Sequence, residues 1–294
     1  MHRAIAAWLT ERPWRAALAS AVCGALSPLL PFVVLVGAIP VLALLRFDPS
    51  VAFGIALAAA TAWVILTVDP TPWVLIGIAS LCFGPVVLAT VLKRTGSMNL
   101  CFQIAVLTAA LAVTIVHLLL RDPVAVWIPL LNEALESTKD AGIPFDGDQT
   151  GFVELWARTM WGVFATLSLA TVLSALFLGC WWDSLLRAPG VFGEAYRRLR
   201  LGLVLGSIAT VLFVASLASD APLIRSLVWV GFGALAFQGL AAAHRSKAQG
   251  SLNRGWLAAI YVLLIVPLST WITVFVLAAW GFADNWSKPR TQGA

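Results

Sequence analysis

Charged side chains are missing from eight long stretches of the chain: 16–45, 49–68, 70–92, 95–120, 159–182, 201–219, 226–243 and 255–283 contain no Lys, Arg, Asp or Glu. About 20 apolar residues rising ~1.5 Å each cross the hydrocarbon core of a bilayer, so runs of this length read as membrane-spanning helices. The pattern predicts an all-α fold, a polytopic integral membrane helix bundle. The first run is too long for one span and carries Pro31 and Pro40, residues that remove a backbone donor and break or kink a helix. Cutting it into 16–30 and 32–45 gives nine spans, with eight to ten compatible with the pattern.

Loop charge supports that cut. With two spans in 16–45, the bases Arg3, Arg12 and Arg15, the pair Lys93–Arg94, and the basic loops 187–200 and 244–254 all fall on one side. Asp69, the acidic stretch 121–157 and Asp220 fall on the other. Basic loops mark the cytoplasmic side, so the expected order begins with a cytoplasmic segment 1–15 and five spans in 16–120. An extracytoplasmic acidic segment follows over 121–157, then a sixth span over 158–182 and a cytoplasmic arginine-rich loop over 183–200. Three last spans in 201–283 lead to a tail 284–294, which this count leaves outside. Within 121–157, Trp127, Leu130, Leu131, Ala134 and Leu135 recur at helical spacing, the mark of an amphipathic helix lying in the membrane interface.

Composition narrows the class further. Apolar residues make up 61% of the 294 and charged ones 11%, too few charges to keep a soluble chain dispersed when ~25% is usual. The net charge of +5 resides in short clusters between spans, which points to anionic headgroups and away from nucleic acid. Eight of the fourteen tryptophans (Trp14, Trp73, Trp127, Trp156, Trp182, Trp256, Trp280 and Trp286) sit near run ends, where an amphipathic ring meets the headgroups. Cys23, Cys82, Cys101 and Cys180 lie inside apolar runs with no CxxC pair, so neither a disulfide nor a metal role is expected. Residues 1–15 lack the build of a signal peptide, because the apolar run behind them is far longer than the ~7–15 residues of such a segment.

Chemistry-bearing patterns are few. Ala17, Ala21 and Ala25, with Ser20 and Gly24 beside them, repeat small residues every four positions in the first span. Such a face either packs inside the bundle or docks another membrane protein. Gln103, His117 and Gln238 are the conspicuous polar residues within runs, readable as interhelical hydrogen-bonding groups or as the polar lining of a site. Asp146-Gly-Asp148-Gln-Thr150-Gly151 begins like an EF-hand loop, yet Ala157 stands where the bidentate Glu belongs. A turn entering a helix is the plainer reading, with cation binding left open. In the loop from Pro189, Glu194 precedes Arg198 by one helical turn, and Arg197, Arg198 and Arg200 are placed to meet anionic lipid or a partner protein. No HExxH, GxSxG or paired intramembrane Asp is present, so the sequence points to a non-catalytic protein without cofactor or metal.

The stretch Trp181-Trp182…Pro189-Gly190…Phe192…Glu194…Leu199-Arg200-Leu201-Gly202 resembles the YybS-like membrane proteins of bacteria, a domain of unknown function. Gly239-Leu240…His244 with Trp256 and Tyr261, and Gly281-Phe282-Ala283-Asp284-Asn285-Trp286, are similar to two further pieces of that family. Val191, Ala195 and Pro289 depart from its pattern. The resemblance implies a multi-pass protein of the bacterial cytoplasmic membrane and no known activity. It also implies a distant similarity to the substrate-binding subunits of energy-coupling-factor transporters, with Ala17, Ala21 and Ala25 in the matching place. Two readings stand open: an envelope-associated scaffold that binds lipid or a partner, and a substrate-capture subunit of a small-molecule transporter.

Overall fold

The computed structural model describes residues 1–27, 31–67, 71–142 and 147–287. Fourteen helices and no strand occur among them. In chain order they are α1 (His2–Glu11), α2 (Pro13–Ala25), α3 (Pro31–Arg46), α4 (Pro49–Ile65), α5 (Pro72–Thr95), α6 (Met98–Leu119), α7 (Trp127–Asp140), α8 (Gln149–Ala157), α9 (Met160–Arg187), α10 (Val191–Arg197), α11 (Gly202–Ala218), α12 (Pro222–Ala248), α13 (Arg254–Ile265) and α14 (Pro267–Trp286). Five of these, α5, α6, α9, α12 and α14, are long and apolar enough to cross a membrane. Helices α10 and α11 form a pair bent by 48° that together pass the same test. The fold is therefore an all-helical one with several apolar spans, as a membrane bundle requires.

Local signals explain most helix ends. Proline opens α2, α4, α5, α12 and α14, where its missing N–H is one that the first turn leaves unpaired anyway. Side chains of Thr71, Asp148 and Asn253 accept from the backbone N–H three residues on, capping α5, α8 and α13. Gly96 closes α5 in the left-handed region, its N–H returning to the Leu92 carbonyl at 2.8 Å.

The chain divides into two compact units. The first comprises residues 1–105 and 168–200. Here α2 packs on α3 and α4, and α3 on α5, around a core that includes Val36, Val41, Leu42, Leu44, Phe102, Leu173 and Leu176. Residues 16–45 hold the separate helices α2 and α3, neither of them among the five long spans. Pro40 and Pro85 stay inside α3 and α5.

The second unit comprises residues 106–167 and 201–294. Its centre is α12, which buries Val230, Ala234, Gln238, Ala241 and Ala243 among others and packs most closely on α14. The single span expected over 255–283 is instead two helices, broken at Val266, which is extended (φ −77°, ψ 116°) ahead of Pro267. In the amphipathic stretch after the fourth run, α7 buries none of its residues. Its Trp127 meets Trp161 at 5.2 Å between ring centroids, and the Trp161 indole donates to the Pro123 carbonyl at 2.8 Å.

Candidate functional site

In the first unit, polar and charged side chains collect where α3, α5 and α9 end. Lys93 Nζ donates to the Leu44 carbonyl at 3.3 Å and an Arg187 guanidinium N–H to that of Leu45. These cations complete carbonyls that the last turn of α3 leaves unpaired, where the helix dipole is negative. Asp183 sits between Arg46 (2.9 Å) and Arg187 (3.1 Å). The Arg46 approach is an ion pair whose angle is not that of a hydrogen bond. His2 of α1 lies against Trp181, 5.1 Å between rings.

Past this cluster, Pro189 and Gly190 turn the chain, Gly190 taking φ 102°, a value costly for any residue with a Cβ. The short α10 is then held down by aromatic packing: Tyr196 is buried, edge-on to Phe177 at 5.3 Å and stacked with Phe192 at 5.8 Å. Glu194 and Arg198 are exposed, while Arg197 and Arg200 are half-buried. The backbone leaving α10 is gripped by amides of α6: Asn99 Oδ1 accepts from the Arg200 N–H at 2.7 Å, and Gln103 Nε2 donates to the Arg200 carbonyl at 3.3 Å.

In the second unit, Gln238 is fully buried with both ends of its amide engaged. Its Oε1 accepts from the Leu201 N–H at 2.9 Å and its Nε2 donates to Asp284 Oδ2 at 3.1 Å. The other Asp284 oxygen pairs with Arg245, and the Asp284 side chain is only 10% exposed. Next to it, Asn285 clasps Gly202 from both sides, accepting from its N–H at 3.2 Å and donating to its carbonyl at 3.1 Å. A Cβ on Gly206 would overlap the Asn285 amide, so glycine there is what admits the clasp. His244 Nε2 meets the Tyr261 hydroxyl at 2.7 Å.

Below this polar end, α12 and α14 touch backbone to backbone. A Cβ on Gly239 would overlap the Leu277 carbonyl, and one on Gly281 the Leu235 carbonyl. Trp229 meets Trp271 at 5.7 Å and Phe232 meets Phe275 at 5.6 Å. Partners thus rise together along both helices, from 229 with 271 to 245 with 284, so the two run parallel.

The residues singled out from sequence divide as follows. Gln103 is hydrogen-bonded to main chain, and Gln238 to main chain and a carboxylate. His117 binds its own helix through Nδ1 and the Val113 carbonyl at 2.9 Å. Gly24 lies on the buried face of α2 with Ala16 and Ser20, and a Cβ on it would overlap the Ala59 carbonyl of α4. It is therefore not part of a free docking face. Ala17, Ala21 and Ala25 are half-buried along the edge of that contact. Asp148 caps α8, while Asp146, Lys288, Pro289 and Arg290 lie outside the described residues. Among the described residues no group of three His, Cys, Asp or Glu could hold a metal ion.

The sequence reading missed the Arg245–Asp284 pair and the Asp183 cluster. Asp284 is the first residue after a charge-free run and was counted with the tail; its place in the last turn of α14 is the signal that helix continuation would have given. Comparison of the chain with protein-family models, curated proteins and solved structures finds no match to any of them.

Proposed function

We propose that this is a multi-pass protein of the bacterial cytoplasmic membrane without a catalytic role, which holds anionic lipid headgroups at its inner face through Arg197, Arg198 and Arg200 of the loop that also carries Glu194, and acts there as an envelope scaffold. The observation that carries this reading is the mounting of α10. Aromatic packing of Tyr196 and Phe192 on Phe177 fixes one side of it, while Val191, Glu194 and Arg198 are exposed. Each cation near an anionic leaflet contributes ~1 kcal/mol.

Membrane sidedness supports the same reading. In the first unit, α1, the α3–α4 turn and the ends of α5 and α9 share one end, through the His2–Trp181, Lys93–Leu44 and Arg46–Asp183 contacts. Alternate crossings by α2, α3, α4 and α5 would produce that arrangement, with the basic residues of α1, the end of α3 and the ends of α5 and α9 together on the cytoplasmic side. The capture reading gains nothing comparable, since the amides that would line a site are engaged in holding main chain.

The test is a pair of triple variants, Arg197/Arg198/Arg200→Lys and the same three→Gln, with co-purified anionic lipid measured by mass spectrometry. The Lys variant is expected to keep the lipid and the Gln variant to lose most of it. Equal loss in both would mean that planar guanidinium contacts matter, and the loop would be a specific phosphate or protein site instead of a lipid anchor.

A further inference from the structure

We infer that residues 254–286 form a membrane-inserted helical hairpin whose tip is covered by lipid acyl chains and whose two ends both lie on the side of the 244–254 loop. The parallel run of α12 and α14 carries the inference. Trp229 with Trp271, Phe232 with Phe275, Gly239 with Gly281 and Arg245 with Asp284 are successive partners. The C-terminal ends of α12 and α14 are therefore neighbours. A chain that leaves α12 at one end and finishes α14 at that same end must run back between them, and α13 is the only element available to do so. It packs Ile260 and Leu264 against the cluster of Ala236, Leu277 and Ala278.

The reversal happens at Val266, the single residue between α13 and α14. Pro267 cannot donate to the turn before it, and the hydroxyls of Ser269 and Thr270 reach back to the Leu263 and Leu264 carbonyls at 2.9 and 3.1 Å. These are carbonyls that the end of α13 would otherwise leave unpaired, and inside a bilayer they have no water to turn to. The side chains around the reversal are large, apolar and open: Ile265 is 79% exposed, Leu268 90% and Ile272 69%. No charge occurs between Arg254 and Asp284. Acyl chains are the occupant that suits such a surface, because it continues the open apolar face of α14 at Phe275 and Val276. The polar cluster of Arg245, Asp284 and Asn285 then marks the headgroup end of the same hairpin. This inference does not depend on what α10 binds.

Cysteine accessibility in sealed cells tests it, with the full chain and its four native cysteines, all buried, as background. Ser287→Cys is expected to react with a membrane-impermeant maleimide only after permeabilisation, together with Gln249→Cys, while Gly147→Cys reacts beforehand. Leu268→Cys is expected to stay unlabelled until detergent is added, and Ile265→Cys provides the same reading if that variant does not accumulate. Labelling of Ser287→Cys together with Gly147→Cys, or of the tip position in permeabilised but undissolved membranes, overturns the hairpin.

Discussion

Among the helix pairs that bring their backbones into contact, α2 with α4 in the first unit and α12 with α14 in the second do so by different means. In the first unit α2 approaches α4 with a glycine on one side only: a Cβ on Gly24 would overlap the Ala59 carbonyl, and the buried residues are mostly small, Ala16, Ser20, Cys23 and Gly24 on α2 and Ala52, Ile55, Ala56, Ala59 and Ala60 on α4. In the second unit α12 and α14 oppose glycine to glycine, and the contact ends in a buried network of Gln238, Arg245 and Asp284. Lipid tails give no hydrophobic drive to helix association, which leaves close packing and hydrogen bonds to supply it. Small residues allow a pair to form but leave its register loosely specified. A buried amide and ion pair at one end of the contact tolerates a single register and a single direction, as polar groups do at coiled-coil seams.

This contrast is easiest to break at the reciprocal glycines. Gly239→Leu, and equally Gly281→Leu, forces the α12 and α14 backbones apart and is expected to cost about 3 kcal/mol or more, read as loss of the folded monodisperse protein in mild detergent. Next comes the network: Gln238→Leu strips the Leu201 N–H of its acceptor and Asp284 of a donor, at about 2 kcal/mol, measurable as a lower thermal unfolding midpoint. The smallest effect is expected at the edge of the first pair. Ala21→Leu and Ala25→Leu add bulk at half-buried positions beside the contact, and the midpoint should move by under about 0.5 kcal/mol, as is usual away from tight packing. A large loss at Ala25 would show that the edge of α2 is as closely packed as its Gly24 face.

How far the sequence could foresee this follows from what each feature depends on. The helical class was legible because absence of charge over 18 residues or more is a local property of the run. The cut of 16–45 was legible because two prolines and the sign of the flanking loops agreed. Pro267 carried no such flag. It looks like Pro40 and Pro85, which α3 and α5 absorb, and only the extended Val266 before it makes the chain turn. The α2 face was legible in part: Ser20 and Gly24 stand beside Ala17, Ala21 and Ala25, but the alanines repeat at the same spacing as the buried Ala16, Ser20 and Gly24. Burial, which spacing does not encode, chose the second set. Gln238 was recognised as a polar group in need of partners, but Leu201 and Asp284 stand 37 and 46 residues away, a separation that no local pattern records.

Sidedness underlies both the proposed headgroup-binding face and the proposed hairpin, so it is the most direct point of attack. An impermeant label applied to sealed cells carrying Gly147→Cys or Gln249→Cys measures it. The account requires Gly147→Cys to react in intact cells and Gln249→Cys to react only after permeabilisation; reaction of both under the same condition would contradict it.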